Sequence, residues 1–410
     1  MGKLANSKQL PNWPEPIVGG KYLKMLDEQV QALRQRETHG NRQLFLDDVV
    51  IAHLLAFFNP TLRSLRIIED FSQTRQAQRH LSVRRLCKST LSDFHRLNDA
   101  ALLEPIIARL QQAAHAQGSI GLPTDLPRTL GKVLAVDGSL FAVAADVAWA
   151  IRRATSQGQP RASVRLDLHL NIANWLPEVV IVCGQGTSEA ASAARSVQPG
   201  AVHLYDRGIF SFELLEAQLA AGAFFVHRLR EPGERTPKFL AETIRPLSAE
   251  AQAAGVLSDS LGRMTGSTHR HAPDCPLREV VIRSPDEPEG TIRLLTNLCD
   301  VDAQVIGLLY RYRWQVELFF RWLKCFANFT HLISESRQGV LLNFYVAVIG
   351  VLLMYLHSGA RPSKYAFSLL GMVAGGGASL EEIMPILAER ERRIALDRAS
   401  LARRKQKRSN

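Results

Sequence analysis

Between residues 132 and 230 the sequence alternates short runs rich in Val, Ile, Leu and Phe with runs of helical spacing. The order is three strands, a helix, a strand, a helix and a strand, which indicates an α/β layer with a mixed sheet. The strand runs are 132–139, 162–172, 178–186, 201–208 and 223–230, and the helical runs are 188–196 and 211–222. This order places candidate functional residues at the carboxyl ends of the strands, where α/β sites usually lie.

The segments on either side of this layer have other patterns. Residues 1–125 repeat apolar positions at three- and four-residue spacing, which predicts an all-α unit. Residues 231–300 return to strands and turns and predict a β-rich insertion, and a long helical run follows from Val301 to about Phe329. Five segments result: a helical domain (1–125), a first α/β part (126–230), the insertion (231–300), a second α/β part (301–360) and a helical C-terminal region with a basic tail (361–410).

The charge balance indicates a polyanionic partner. The 410 residues include 50 Lys and Arg against 39 Asp and Glu, a net charge of +11, which favours nucleic acid. One basic cluster stands among small polar residues in the helical domain, at Arg75, Arg79, Arg84, Arg85, Lys88 and Arg96. We interpret this cluster as a surface that contacts DNA phosphates, with a merely solvated basic face as the alternative. The final residues 402–410 predict a disordered basic arm.

The cysteines and apolar runs bear on the compartment. Five cysteines lie far apart without a CxxC pair, so neither a disulfide framework nor a thiolate zinc site is indicated. Residues 1–20 contain no secretory signal. The apolar run Val340–Leu356 is slightly too short to span a bilayer and predicts a buried core helix. We therefore expect a cytoplasmic, nucleoid-associated protein that makes no use of a membrane.

Two further motifs contain the residue types of known sites. One is a loop with four possible metal ligands and no second cluster to complete a tetrahedron: His269, His271, Asp274 and Cys275. The other is the HxxR pair of a tyrosine recombinase, with Tyr310 as its nucleophile: His227 and Arg230. A solvated loop explains the first motif better, and chance explains the second, because no motif places a partner arginine.

Three acids are better candidates for a site. Asp137 ends an apolar strand in LAVDGS and Asp206 ends a later one in LYDRG, so both are expected at the carboxyl edge of the sheet. Glu317 lies in the later helical run, where a rotation of about 100° per residue puts Tyr310, Arg313 and Lys324 on its face. Salt bridges of an ordinary amphipathic helix would explain the helical charges. They would not explain two aspartates at strand ends.

Tyr310, Arg313, Glu317 and Lys324 follow the spacing Y-x2-R-x3-E-x6-K. This pattern resembles the YREK signature of the DDE transposases of insertion sequence family four. The VDGS around Asp137 and the DRG after an apolar strand are similar to the aspartate motifs of that family. The resemblance covers about residues 130–330 and implies a ribonuclease H-like catalytic domain interrupted by the β-rich insertion.

The resemblance also implies a metal-dependent mechanism. Phosphodiester attack is assisted by two divalent ions about 4 Å apart, and carboxylate oxygens are the ligands that Mg²⁺ prefers. Asp137 would bridge two Mg²⁺ ions, with Asp206 and Glu317 each holding one, and Mn²⁺ is expected to substitute. Further residues are expected to contact DNA: Tyr310, Arg313 and Lys324 at phosphates, Trp314 by stacking on an unpaired base, and Arg84, Arg85 and Lys88 in the helical domain.

The expected function is that of a cut-and-paste DNA transposase. Its expected partners are transposon-end DNA with terminal inverted repeats, target DNA, and a second copy of the chain in a dimer that bridges two ends. Two alternatives are a transposase-derived DNA-binding protein without activity and a stand-alone nuclease of the same fold. Hairpin-forming relatives use a tryptophan of the insertion, whereas the only Phe, Tyr or Trp in 231–309 is Phe239, so a hairpin intermediate is not predicted.

Overall fold

The structure is a computed structural model that describes residues 44–400, apart from 60, 79–80, 117–121, 144–146, 155–159, 231–237, 266–272, 326–331, 359–363 and scattered positions between 375 and 399. The basic arm 402–410, Arg79 and the histidines 269 and 271 lie outside the described residues. The chain forms two compact units. One contains the residues up to Ala114 and those from Trp322 onward, and the other is His115–Arg321. The five functional segments proposed above remain a prediction.

Twelve α-helices of four residues or more lie in the described part of the chain, apart from short fragments after residue 380. In chain order they are α1 Leu46–Phe58, α2 Leu65–Ser72, α3 Arg75–Gln78, α4 Lys88–Leu97, α5 Glu104–Ala116, α6 Glu189–Arg195, α7 Phe212–Ala220, α8 Ala249–Ala253, α9 Ala303–Tyr312, α10 Trp314–Cys325, α11 Arg337–Ser358 and α12 Lys364–Ala374. Serine side chains cap α6, α7 and α8 by accepting hydrogen bonds from backbone N–H groups of the first turn, which satisfies donors that have no partner within the helix.

The helical unit is organised around α11. Its segment Arg337–Leu356 is long and apolar enough to cross a membrane, yet 89% of its most apolar window is buried inside the protein. Gly350 allows close packing against α1, because a Cβ there would lie 2.6 Å from Cε1 of Phe57. The prediction of a buried core helix is therefore confirmed.

The second unit is built on a ten-stranded mixed sheet. Its strands are β1 Val133–Ala142, β2 Ile151–Ala154, β3 Pro160–Asn171, β4 Leu176–Cys183, β5 Val202–Tyr205, β6 Phe224–Arg228, β7 Phe239–Ile244, β8 Val256–Met264, β9 Leu277–Arg283 and β10 Thr291–Thr296. They lie in the order β2, β3, β1, β5, β6, β10, β9, β8, β7, and β4 pairs with β3. β5 runs parallel to both β1 and β6. The mixed α/β layer predicted from the sequence is thus present, with β2 as a short strand that the sequence pattern did not reveal.

The β-rich segment belongs to the same sheet. β10 pairs antiparallel with β6, from Val226 opposite Thr296 to Arg228 opposite Leu294, and β9, β8 and β7 follow outward. Leu294 and Leu295 are fully buried. The segment is rich in strands, and these strands extend the sheet of the second unit. Its assignment as an insertion of a catalytic domain remains a prediction. Sequence patterns miss the extension of the sheet because partners in a sheet are not neighbours in the chain.

Candidate active site

Asp137 and Asp206 directly follow the last paired residues of two neighbouring parallel strands, Val136 of β1 and Tyr205 of β5. Asp206 comes just after the end of β5, whereas Asp137 does not end its strand as predicted, because β1 runs on to Ala142 through its pairing with β3. Val136 and Tyr205 are both buried, and the apolar runs that bury them place the acids where the parallel pairing ends. Residues at equal register project from the same face of a sheet.

β1 continues past Asp137 because Gly138 permits a close approach of β3. Gly138 lies opposite Asp167, and a Cβ at position 138 would lie 2.7 Å from Asp167 Oδ1 and 3.1 Å from Glu189 Oε1. The Asp167 carboxylate is held by Arg165, whose Nε and Nη2 donate to its two oxygens at 2.6 and 2.9 Å. This buried ion pair therefore fixes the surroundings of Asp137.

The carboxyl of Asp137 is difficult to ionise. Burial raises its pKa to about 7, and the charges of Glu189 and Glu317 act in the same direction. A hydrogen bond from Gly138 N–H to Asp137 Oδ1, at 2.9 Å, and the charge of Arg313 oppose the rise. Removing a carboxylate from water disfavours its charged form, so Asp137 has a high affinity for a proton, or for another cation that replaces it.

The environment of Asp206 has the opposite effect. Burial alone would raise the pKa of Asp206, but the charge of Arg313, hydrogen bonds and the charge of Arg228 together hold it below its ordinary value. The Tyr310 hydroxyl donates to Asp206 Oδ1 at 2.9 Å, and Arg228 Nη1 lies 3.9 Å from the same oxygen. Burial and the Asp206 charge raise the pKa of Tyr310 to about 12, so this phenol keeps its proton and remains a donor at neutral pH.

The third acid is held by an arginine at a helix junction. Arg313 stands between α9 and α10. Two backbone hydrogen bonds at this junction connect residues three apart, in place of the four of an α-helix: Arg313 N–H donates to Tyr310 O, and Val316 N–H donates to Arg313 O. Its Nη2 donates to Glu317 Oε1 at 2.5 Å, and its guanidinium lies 5.6 Å from the centre of the Tyr310 ring. The Arg313 charge also acts on Asp137 and Asp206, so one cation serves all three acids.

A divalent ion fits the donors of this site by their chemistry. Asp137, Asp206 and Glu317 supply hard carboxylate oxygens of the kind that Mg²⁺ and Mn²⁺ bind. Among the described residues, no three acid, histidine or cysteine groups are already gathered in the geometry of a metal site. The Glu317 carboxylate instead pairs with the positively charged Arg313 guanidinium.

The residues predicted to contact DNA are found in different settings. Tyr310 is buried, and its hydroxyl contacts an acid of the site, which differs from the expected contact with a phosphate. Trp314 is 47% exposed, with the Arg321 guanidinium 5.9 Å from its ring centre. Lys324 is partly buried near the end of α10, in the part that belongs to the helical unit.

The basic cluster of the helical unit is exposed at each position predicted to bind DNA. These positions are Arg84, Arg85 and Lys88. Arg85 also forms an ion pair with Glu69 at 2.5 Å, and Lys88 begins α4 with its backbone N–H donating to the same carboxylate. Part of the cluster therefore stabilises the turn before α4, while its side chains remain accessible.

The histidine of the HxxR pair lies in the core, which agrees with the interpretation that this pair arises by chance. His227 is fully buried, stacks on Tyr205 with ring centres 4.5 Å apart, and contacts Gln218 Oε1 through Nε2 at 2.9 Å. Burial lowers its pKa to about 3. A buried neutral histidine in the core beneath the sheet has no access to a DNA strand.

Sequence reasoning missed the charged residues that surround the acids. Arg165, Asp167 and His169 alternate with Leu166 and Leu168 along β3. This period of two would have indicated that one face of β3 carries a polar network. No comparable signal pointed to Arg228, because its role depends on the neighbouring β5.

Comparison with known proteins gives the family. Residues 129–353, more than half of the chain, match the family model of the Transposase DDE domain. The chain is 30% identical over 175 residues to a Sinorhizobium fredii protein named as transposase y4zB, covering 43% of this chain and 47% of that one. It is 28% identical over 199 residues to a Geobacillus stearothermophilus protein named as a transposase for insertion sequence element IS5377, covering 48% and 50%.

The matched part spans about half the length of each of these relatives. A solved piggyBac transposase synaptic complex with hairpin DNA matches 86% of this chain and 77% of that one, at 11% identity and a TM-score of 0.42. A likeness this distant supports no conclusion. Asp137, Asp206 and Glu317 all lie within the residues that match the family model, and the chain belongs to the Transposase DDE domain family.

Proposed function

We propose that the chain is a cut-and-paste DNA transposase of the YREK type, with a ribonuclease H-like catalytic domain that hydrolyses phosphodiesters at transposon ends and joins them to target DNA. The observation that carries the proposal is the position of Asp137 and Asp206 directly after the last paired residues of the parallel strands β1 and β5, with the Arg313 charge acting on both acids and Arg313 paired with Glu317. Membership of the family supports the transposase part of the proposal.

DDE transposase domains use divalent metal ions in general, and we assign the ligands to Asp137, Asp206 and Glu317. Such ions lower the pKa of a bound oxygen nucleophile and relieve charge on the phosphate. Asp137 must release its proton to act as a ligand. Tyr310 keeps the Asp206 carboxylate oriented by its hydrogen bond, and Arg313 holds the Glu317 carboxylate by an ion pair.

DNA contacts are proposed for residues on both units. Arg313 has the planar guanidinium that suits a phosphate, and Lys324 offers a point charge on the same helical segment. Trp314 is exposed enough to stack on an unpaired base. We assign end binding to the exposed basic cluster around Arg84, Arg85 and Lys88, and we expect two copies of the chain to bridge two transposon ends.

The test uses Asp137→Asn, Asp206→Asn and Glu317→Gln with a duplex that carries the inverted repeat flanking the reading frame. Each variant should bind the duplex with nearly wild-type affinity and lose cleavage with Mg²⁺ or Mn²⁺, because only ligand charge is removed. Ca²⁺ should support binding without turnover, since its longer and looser coordination suits the reaction poorly.

The same assay separates the alternatives. Cleavage at wild-type rate by any one variant would show that its acid is misassigned. Cleavage by the wild-type protein without strand joining would favour a stand-alone nuclease. Binding without any cleavage, across the three metal ions, would favour an inactive DNA-binding derivative.

A further inference from the structure

A second group of arginines lies beside Asp206, at the carboxyl ends of β5 and β6. Arg207 follows Asp206 directly. Because Tyr205 pairs with His227, Arg228 lies level with Asp206, and Arg230 is two residues further. Arg293 of β10 reaches the same place, with Nη1 donating to the backbone oxygen of Arg230 at 3.4 Å.

Two of these arginines are already neutralised. Arg228 Nη2 contacts Glu287 Oε2 at 2.6 Å, and Arg293 Nη2 contacts Glu279 Oε1 at 2.5 Å. Both side chains are largely buried. Arg293 also supports the backbone of this edge through its bond to Arg230 O, and each of the two guanidiniums already has a carboxylate partner.

The other two arginines are exposed and have no such neutralisation. Arg207 and Arg230 face solvent, and Arg230 Nε donates to the Arg207 backbone oxygen at 3.3 Å. That bond links the two residues and occupies only one of the donor nitrogens of Arg230. Within the part of the chain that the structure describes, neither guanidinium has a carboxylate partner. Two exposed arginines, linked through the Arg207 backbone, thus lie at the rim of an acidic site, where an anion would stabilise their charges.

We propose that Arg207 and Arg230 form a phosphate-binding rim that holds a DNA phosphodiester on the Asp206 side of the site. The guanidinium forks match the geometry of a phosphate. Arg313 holds the Glu317 side, so the rim would hold the strand at the opposite acid. The rim contacts only the DNA backbone and carries no sequence preference. This inference rests on the proposed function.

The experiment measures the salt dependence of DNA affinity for Arg207→Ala, Arg230→Ala and the double variant. Each phosphate contact contributes about 0.9 to the slope of log affinity against log salt concentration. The slope should therefore fall by the equivalent of about two phosphate contacts in the double variant, and of about one contact in each single variant. Arg207→Lys and Arg230→Lys should keep most of the slope, because they keep the charge.

Arg195→Ala is the matched control. Arg195 is an exposed arginine of the same unit at the far end of α6, and its removal takes away the same charge without changing the rim. Thermal melting of every variant verifies that the fold is intact. An unchanged slope in the double variant on both end DNA and target DNA, or an equal loss of slope in Arg195→Ala, would overturn the proposed rim.

Two duplexes distinguish the source of the phosphate. With the inverted-repeat duplex, a lower slope assigns the rim to end DNA. With precut ends and a random-sequence duplex as target, a loss of joining with unchanged end binding assigns it to target DNA. If cleavage by the wild-type protein requires Glu317, the proposed function holds whatever the rim variants do. If the wild-type protein shows no salt-dependent binding to DNA, both the proposed function and the rim are contradicted.

Discussion

At the residue scale, the pKa values of Asp137 and Asp206 are shifted in opposite directions although both acids directly follow the last paired residues of β1 and β5. Burial raises the pKa of Asp137 to about 7. Burial acts in the same direction on Asp206, but the charge of Arg313, hydrogen bonds and the charge of Arg228 outweigh it and lower the pKa of Asp206. Titratable groups with divergent pKa values are typical of active sites. In the absence of a metal, Asp137 is therefore partly protonated near neutral pH while Asp206 is charged.

This difference predicts opposite effects of two substitutions on stability in EDTA. The folded state retains the Asp137 proton between about pH 4 and 7 while the unfolded chain has lost it, so stability falls as pH rises through this window. Asp137→Asn should raise Tm at about pH 8 and raise it less at about pH 5. Asp206→Asn should lower Tm at the higher pH, because the ionised form of Asp206 is the favoured one. Equal shifts of Tm at both pH values for Asp137→Asn would contradict the raised pKa.

A second prediction concerns Gly138. Gly138→Ala would place a Cβ 2.7 Å from Asp167 Oδ1 and 3.0 Å from Arg165 Cδ, in a buried ion pair with little room to move. Overpacking of this kind costs about 1–3 kcal/mol, and the displaced strand should reduce cleavage as well. Denaturant unfolding measures the free energy. Gly208→Ala, on the other side of Asp206, is the control, because a Cβ there meets nothing within 4 Å. Equal losses in both variants would refute the packing argument.

At the element scale, two tryptophans of α10 have contrasting environments. Trp314 is 47% exposed, whereas Trp322 is 4% exposed and packs near Phe57 and Phe367 with ring centres at 6.5 and 5.6 Å. A lost stacking surface is worth about 1–3 kcal/mol per base. Trp314→Ala should therefore slow any step that needs an unpaired base by roughly ten- to a hundredfold, with nicking and Tm nearly unchanged.

Trp322→Ala is the comparison, with an expected loss of about 3–5 kcal/mol of stability. Melting, end binding, nicking and second-strand cleavage are measured on both preparations. A fall in the Tm of Trp314→Ala, together with a uniform loss of all activities, would exclude the stacking role.

The continuity of the sheet gives another prediction at this scale. Leu295 of β10 is fully buried in a cluster with Tyr205 and Phe225, so Leu295→Ala should cost about 2–5 kcal/mol and accelerate hydrogen exchange in β5 and β6. Leu240→Ala, on the exposed β7, should change stability by less than about 0.5 kcal/mol. Unchanged exchange in β5 and β6 would mean that the β-rich segment unfolds independently.

The same elements show what the sequence could predict. Asp137 and Asp206 follow apolar runs, and an acid after such a run is visible without a structure, whereas the continuation of β1 past Asp137 is not. The pairing of β6 with β10 could not be predicted, because a strand-like composition does not show which strand is the partner. The contact between Asp167 and Gly138 depends on a register that composition does not encode, and the donation from Tyr310 to Asp206 spans two distant segments.

At the scale of the whole molecule, the net charge of +11 predicts binding that is dominated by phosphates. If about six phosphates are neutralised, affinity for end DNA should fall by about three orders of magnitude between about 50 and 200 mM salt. Deleting 403–410, which lies outside the described residues, should weaken binding to specific and random DNA alike, because a basic arm reads charge and no bases. Filter binding across a salt series checks both, and a salt-insensitive affinity would remove nucleic acid as the main partner.

The pairing of β6 with β10 also has a consequence during synthesis, because β10 is translated well after β6. While the ribosome is still making the β-rich segment, β6 has one edge without its partner, and open edges pair readily with other chains. A nascent chain that stalls there lacks both β10 and the later helix that carries Glu317. The third acid is therefore translated only after the strand that closes this edge, so incomplete products are prone to aggregate and cannot assemble all three carboxylates.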